Sequence, residues 1–238
     1  MNYKLLTSFI ASATIIIALP TMAQMPHAPI YKPLQPDAPK VRVDGRVRGA
    51  DDALLTLTVL APEHVGLTTK AQPSLFWYQS KANQTRFELT ISESKNPEPV
   101  LEVKFHSMPS DGIQRLRLAD YDKTLKPGVE YRWSVAMVLD EENRSKDLVA
   151  SGVIKRIEPP ESLKKRLTGA ADADLPFIYA DEGIWYDSLE ALSDMIDRQP
   201  TQQVLHEERA VYFMQVGLNE AARHDLRLAG RNAVAPGK

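Results

Sequence analysis

Cysteine is absent from all 238 residues. Disulfides, thiolate nucleophiles and cysteine-based metal sites are therefore excluded, and stability must come from an ordinary packed core. Charge of one sign is lacking too. With 29 basic and 31 acidic residues the net charge is −2, which argues against a general nucleic-acid surface or an anionic-membrane surface. The signatures of common catalytic sites are missing as well. No Gly-x-Ser-x-Gly elbow, P-loop or dinucleotide fingerprint occurs. The five histidines, His27, His64, His106, His206 and His224, form no close pair. His206-Glu207-Glu208 begins like a zinc-protease helix, but Ala210 stands where the second ligand is needed. Asp172 and Asp174 lack the Gly and the distal Glu of a calcium loop. In Met25-Pro26-His27 the proline has no backbone N–H to lose, so an amino-terminal copper site is not expected. No metal, cofactor or catalytic residue is expected, and a hydrolase with unrecognised carboxylates is the remaining enzymatic alternative.

What is present begins with an export pattern. Lys4 gives a positive start, Leu5 to Leu19 is uncharged and apolar apart from a few small hydroxyl residues, and Pro20 breaks it. Thr21-Met22-Ala23 then supplies small residues at the −3 and −1 positions of a cleavage site after Ala23. The run is shorter than the roughly 20 residues a spanning helix needs. Residues 1–23 are therefore read as a signal peptide. The mature chain is expected in the periplasm or outside the cell, without a lipid anchor and without a membrane span.

From 24 to 52 the chain is rich in proline (Pro26, Pro29, Pro33, Pro36 and Pro39) and carries basic residues from Lys40 to Arg48 against one acid, Asp44. Such a stretch buries little and favours extended conformations, so it reads as a flexible spacer. Its charge would also suit an acidic partner.

From 53 to 158 the period is that of strands. Leu55–Val59, Pro73–Tyr78, Phe87–Ile91, Leu101–Phe105, Ile113–Leu118, Val129–Val135 and Leu148–Ile157 alternate apolar and polar residues between turn signals such as Pro109-Ser110-Asp111-Gly112. About seven short strands at this spacing predict an antiparallel β-sandwich. Alternation places Val129, Tyr131, Trp133 and Val135 on one face and Arg132 on the other. Trp77 and Trp133 are expected in the core. Phe76, Tyr78 and Arg132 then face outward or towards the helices.

From 159 to 229 the period turns helical. Leu163 and Leu167 share a face, Pro176 fits the first turn of a short helix, and Trp185, Leu189, Leu192 and Ile196 form one stripe. Pro200 ends that helix. Thr201 is expected to cap the next, with Val204, Val211, Met214 and Leu218 inward. Gly217 closes it, and Asn219 is expected to cap a last helix through Leu228. Residues 230–238 are expected to be a disordered tail.

Two local patterns resemble known units. Leu125-x-Pro127-Gly128-x-x-Tyr131-x-Trp133 is similar to the penultimate strand of immunoglobulin- and fibronectin-III-like sandwiches. The spacing of Gly183, Tyr186, Leu189, Ala191 and Pro200 is similar to half of a tetratricopeptide repeat. The fold class expected is thus α+β, a sandwich followed by a helical hairpin segment. Leu60-Ala61-Pro62, Gly66-Leu67-Thr68, Pro73-x-x-Phe76-Trp77-Tyr78, Tyr131-x-Trp133, Asn143-Arg144-Ser145-x-Asp147, Gly152-x-Ile154-x-Arg156, Gly183-Ile184-Trp185-Tyr186-Asp187-Ser188-Leu189 and Gly217-Leu218 follow one another in that order. This longer set of motifs resembles the DUF928 family. Val153 stands where the family pattern has Trp. The resemblance covers roughly residues 54–228 and implies an exported bacterial protein; it implies no reaction.

The residues singled out for binding are Tyr78, Arg132, Arg144, Asp147, Trp185 and Tyr186. Arg144 and Asp147 also suit a structural ion pair, and Trp185 and Tyr186 also suit packing of the helices on the sheets. The function expected is that of an exported, non-enzymatic accessory protein that binds another envelope or secreted protein. The alternative is a carbohydrate- or cell-wall-binding module that uses Trp77 and Tyr78.

Overall fold

The structure is a computed structural model, and it describes residues 27–35, 38–48, 54–82, 85–96, 98–106 and 110–230. The export segment with Ala23 and the tail from residue 231 lie outside the described residues.

The strands are β1 (Gly45–Arg48), β2 (Leu54–Val59), β3 (Gly66–Thr68), β4 (Ser74–Gln79), β5 (Phe87–Glu93), β6 (Pro99–Phe105), β7 (Gly112–Arg117), β8 (Glu130–Met137) and β9 (Leu148–Arg156). They form two sheets, ordered β1-β2-β4-β7 and β3-β9-β8-β5-β6. All pairs are antiparallel except β3 with β9, which is parallel. The seven strands that alternate in the sequence all form. β1 and β3 were not expected. β3 has three residues, too few to establish a period, and β1 lies among basic residues in the proline-rich stretch.

Alternation on β8 buries Tyr131, Trp133, Val135 and Met137 and leaves Arg132 exposed. Trp133 pairs with Ile91 on one side and Gly152 on the other. Gly152 in turn lies against Val59 and Ala61 of the second sheet's side of the core. Trp77 and Trp133 are both interior, as expected. Each large apolar side chain buried in this way contributes about 1.5–3 kcal/mol.

The helices are α1 (Glu161–Leu167), α2 (Leu175–Asp181), α3 (Trp185–Arg198), α4 (Gln203–Met214) and α5 (Asn219–Leu228). α2 packs on α3, α3 on α4, and α4 on α5. The stripe Trp185, Leu189, Leu192, Ile196 is buried as its spacing predicts. α4 differs from expectation. Val204 and Met214 are 40% and 45% exposed, while Leu205, Ala210, Tyr212 and Phe213 face inward with His206 and Arg209. The reason is a buried ion pair: Arg209 donates to both oxygens of Asp225 at 2.7 and 2.8 Å, so charged residues occupy the inner face. An apolar-only period therefore picks the wrong phase. Nor do Thr201 and Asn219 act as caps: the N-cap positions are Gln202 for α4 and Leu218 for α5, neither with a side-chain cap bond.

Sheets and helices share one core. Trp185, Tyr186, Leu189, Tyr212 and Phe213 belong to the same apolar cluster as Leu57, Trp77, Leu89 and Trp133. Every residue of β4 is buried because helices cover its second face. There Ser74 N–H donates to Glu190 at 3.2 Å, and the Arg115 guanidinium lies over the Phe76 ring at 5.1 Å.

The stretch expected to be a flexible spacer is ordered against the body over its described part. Tyr31 is buried. Val43 exchanges two backbone hydrogen bonds with Ser151, both 2.8 Å. Arg42 donates from one guanidinium nitrogen to Ala61 O at 2.8 Å and Val216 O at 3.0 Å, tying sheet to helix. Lys40 pairs with Glu63 at 2.6 Å. Prolines that favour an extended chain are compatible with docking. Two side-chain anchors, Tyr31 and Arg42, decide the outcome, and composition does not reveal them.

Candidate functional site

The ends of α2 and α4 hold the arm as a body holds a peptide. Gln215, the residue that follows α4, holds arm backbone with both ends of its amide. Its Oε1 accepts the Tyr31 N–H at 2.8 Å, and its Nε2 donates to Pro29 O at 2.7 Å. Groups two residues apart on an extended chain point the same way, so one amide reads both. Pro29 has no N–H to leave unsatisfied. The Lys32 N–H donates to Ala180 O at 3.0 Å near the end of α2, and the Lys32 ammonium pairs with Asp181. Gly183 makes room for this segment. It sits at φ +73°, and a Cβ there would stand 2.6 Å from Lys32 O.

The Tyr31 ring fills an aromatic socket. It meets Trp185 edge-on at 5.1 Å and Tyr212 edge-on at 6.3 Å, and it stacks on His64 at 5.8 Å. Trp185 and Tyr212 themselves stack at 4.5 Å, 12° from parallel. His64 Nδ1 lies 2.9 Å from Val65 O, which can only accept, so Nδ1 carries the proton and Nε2 accepts from the Tyr31 hydroxyl at 3.3 Å. Burial pushes the Tyr31 phenol well above its ordinary range, so it stays a neutral donor.

Beside the socket a cleft of about 440 Å³ runs between the arm, at Leu34 and Pro39, and the body, at Val65, Leu67 and Ile157. The Glu130–Lys155 pair, 3.2 Å apart, stands at its rim. A second depression of about 280 Å³ opens on the other side of Tyr31 and His64, at Pro33, Glu63 and Gln215. The arm's outward side chains Ile30 and Leu34 are 67% and 64% exposed. Among the described residues no group of three His, Asp or Glu side chains is arranged to hold a metal ion, and no helix is long and apolar enough to cross a membrane.

The residues singled out from the sequence do not converge on one site. Tyr78 is buried against His224 of α5, ring centroids 5.8 Å apart. With Trp77 also interior, the aromatic platform required for carbohydrate stacking is not at the surface. Arg132 is exposed on the outer face of β8. Arg144 joins Asp147 at 2.6 Å and Glu88 at 2.7 Å, an ion network that fastens the turn before β9 to β5. Its hydrogen bond holds the Glu88 carboxyl below the usual range.

Trp185 and Tyr186 are fully buried and join the helices to the sheets, Trp185 with the Tyr31 ring edge-on against it. Trp185 donates to Leu60 O at 2.9 Å. The Tyr186 hydroxyl accepts from Trp133 Nε1 at 2.9 Å and donates to Val153 O at 3.3 Å. Gly66 of β3 has no side chain because one would stand 2.5 Å from the Tyr186 ring. The next residue, Asp187, accepts from Thr68 Oγ1 and Thr69 Oγ1, both at 2.5 Å, and from Thr69 N–H at 3.0 Å. Burial raises its pKa, against those hydrogen bonds. The Gly-Ile-Trp-Tyr-Asp run is thus the staple that fixes α3 to β3, β8 and the residues after β2. Of the socket, the sequence reading had singled out Trp185 alone for binding. Tyr31 carried a weak signal, an aromatic residue beside Ile30 in an otherwise proline-rich stretch; Gln215 carried none.

The pattern of one family, described as Domain of Unknown Function (DUF928), matches residues 43–226. The chain belongs to the DUF928 family. The matched span includes His64, Asp181, Gly183, Trp185, Tyr212 and Gln215, so the socket and the backbone clamp are parts of the DUF928 domain. Residues 29–35 of the arm lie before it. Among curated proteins, none matches this DUF928 chain.

Proposed function

We propose that this DUF928 protein is an exported, non-enzymatic accessory protein that binds an extended segment of another envelope or secreted protein. The observation that carries the reading is the hold of Gln215 on Pro29 O and Tyr31 N–H. A side-chain amide that reads main-chain groups two residues apart recognises extended polypeptide whatever its side chains. The adjoining cleft, with an apolar floor and a charged rim, is of a size that takes a few further residues. His64 has both ring nitrogens engaged, which suits a positioning role rather than a free general base. Export rests on the pattern from Lys4 to Ala23.

The scaffold reading belongs with this. Strand order β2-β4-β7 against β9-β8-β5-β6 follows the A-B-E and G-F-C-C′ orders of immunoglobulin-like sandwiches and supports that fold. The contacts of α2 with α3 and of α4 with α5 support two antiparallel hairpins of the tetratricopeptide kind. Such hairpins present concave faces that take extended peptides.

The test is photo-crosslinking in the producing cell with p-benzoylphenylalanine at Val65, on the cleft wall, and at Glu102 on the far edge strand β6 as a control. A discrete adduct with another exported protein from Val65 and none from Glu102 is the expected result. No adduct at Val65, or the same adduct at both positions, contradicts the proposal.

A further inference from the structure

We propose that the groove holding residues 29–32 recognises a tyrosine-anchored, extended segment of another exported protein, and that the chain's own arm is a resident stand-in which that segment displaces. This rests on the binding role proposed above and names the chemistry of the partner.

Three features define what the groove selects. The Gln215 amide and Ala180 O take the backbone of an extended chain. Gly183 lets that backbone approach more closely than any side chain would allow. The socket of Trp185, Tyr212 and His64 takes an aromatic ring, and His64 Nε2 offers an acceptor that rewards a phenol over a phenyl. A site built to accept a hydroxyl discriminates against the analogue without one, because the half-buried acceptor then loses its partner. Asp181 next to the backbone path favours a cation after the tyrosine, as Lys32 supplies.

Two further features make the arm a stand-in rather than the best occupant. Its hold is small: over residues 29–35 the described backbone bonds to the body are those of Pro29 O, Tyr31 N–H and Lys32 N–H. It also borders the 440 Å³ cleft at Leu34 without filling it, and it turns Ile30 and Leu34 to solvent. A segment that enters the socket and continues into the cleft buries apolar surface that the arm leaves wet. The arm competes at an effective concentration on the order of millimolar, so the partner's segment must bind well below that to displace it.

The experiment uses the full chain carrying Tyr31→Ala, which empties the socket, and a fluorescent peptide of residues 28–35. Saturable binding in anisotropy is expected. It should weaken by about tenfold or more when the peptide carries Tyr31→Ala, and less when it carries Lys32→Ala. It should be lost when the protein also carries Gln215→Ala. Equal affinity for the tyrosine and alanine peptides overturns the proposal, as does absence of binding to a folded Tyr31→Ala chain. Should that variant fail to fold, the otherwise cysteine-free wild-type chain is labelled at Ala28→Cys. The tyrosine peptide then increases the mobility of the label, and no change at millimolar peptide overturns the proposal. A concentration-dependent dimer that no peptide dissociates would assign the groove to a second copy's arm, and that also overturns it. An adduct from Val65 without peptide binding leaves the broader binding role standing and removes this inference. Peptide binding without an adduct contradicts the broader binding role and, with it, the exported partner named here.

Discussion

Gln215 and Tyr31 meet through main chain, not side chain: the glutamine Oε1 accepts the Tyr31 N–H at 2.8 Å while its Nε2 holds Pro29 O at 2.7 Å. The tyrosine ring is left free to enter the socket of Trp185, Tyr212 and His64. Backbone hold and ring hold are therefore separable by mutation.

Gln215→Ala removes two hydrogen bonds at a partly exposed site, for a loss of about 1–2 kcal/mol. Urea unfolding reads the loss. Amide exchange at Tyr31 should accelerate far more than at β8, whose ladder is untouched. Equal acceleration at both would mean that the residue supports the whole fold and not the arm.

Gly183→Ala is expected to do more. The residue lies at φ +73°, where a side chain is strained, and the new Cβ would meet Lys32 O at 2.6 Å. The combined cost exceeds about 1 kcal/mol. The arm should detach before the domain unfolds, as cleavage after Tyr31 by chymotrypsin under native conditions would reveal. A variant as resistant as the parent would contradict the close approach.

The buried group of His206, Arg209 and Asp225 predicts a pH dependence. His206 Nδ1 faces Asp225 at 3.3 Å and Nε2 faces Pro200 O at 3.0 Å, both acceptors, so the imidazolium satisfies the site. The Asp225 hydrogen bond raises the His206 pKa above its ordinary 6.5, against the effect of burial. A raised value means stability fully present below about pH 6.5 and lost as pH rises through the folded pKa. His206→Gln should flatten unfolding free energy across that window. Asp225 behaves oppositely: burial raises its pKa, Arg209 and His206 outweigh burial, and the net shift is down. Its contribution is present above the ordinary carboxylate value and lost as pH falls through the folded pKa. Asp225→Asn strands a buried guanidinium and should cost about 3–5 kcal/mol.

Tyr186→Phe tests the staple. The hydroxyl accepts from Trp133 Nε1 at 2.9 Å, and its removal leaves a buried indole N–H unpaired, at about 1–3 kcal/mol. Thermal unfolding measures the loss. A neutral substitution would show that the contact does not hold helix to sheet.

The sequence made visible what repeats. Seven strands alternate over five or more residues, and the stripe from Trp185 to Ile196 keeps helical spacing over three turns, so each declares its period. β3 has no room for a period, and the two arginines of β1 look like linker charge. On α4 the charged Arg209, paired with Asp225 of α5, takes the inner face, which reverses the rule by which Val204 and Met214 were placed inside. The candidate site was less legible because it is made of contacts between distant segments. Tyr31 and Gln215 are 184 positions apart. A glutamine at the end of a helix looks like any solvated residue, and a tyrosine among prolines looks like linker. Trp185 was legible as an aromatic of importance, but its burial behind Tyr31 came only with the fold.

The most direct test of the groove as a recognition site is competition against the adduct formed from p-benzoylphenylalanine at Val65. A peptide of residues 28–35 should abolish the adduct with the exported partner. The same peptide with Tyr31→Ala should leave it intact, and the cross-linked partner segment should contain a tyrosine. An adduct unaffected by either peptide, or suppressed equally by both, would contradict the account.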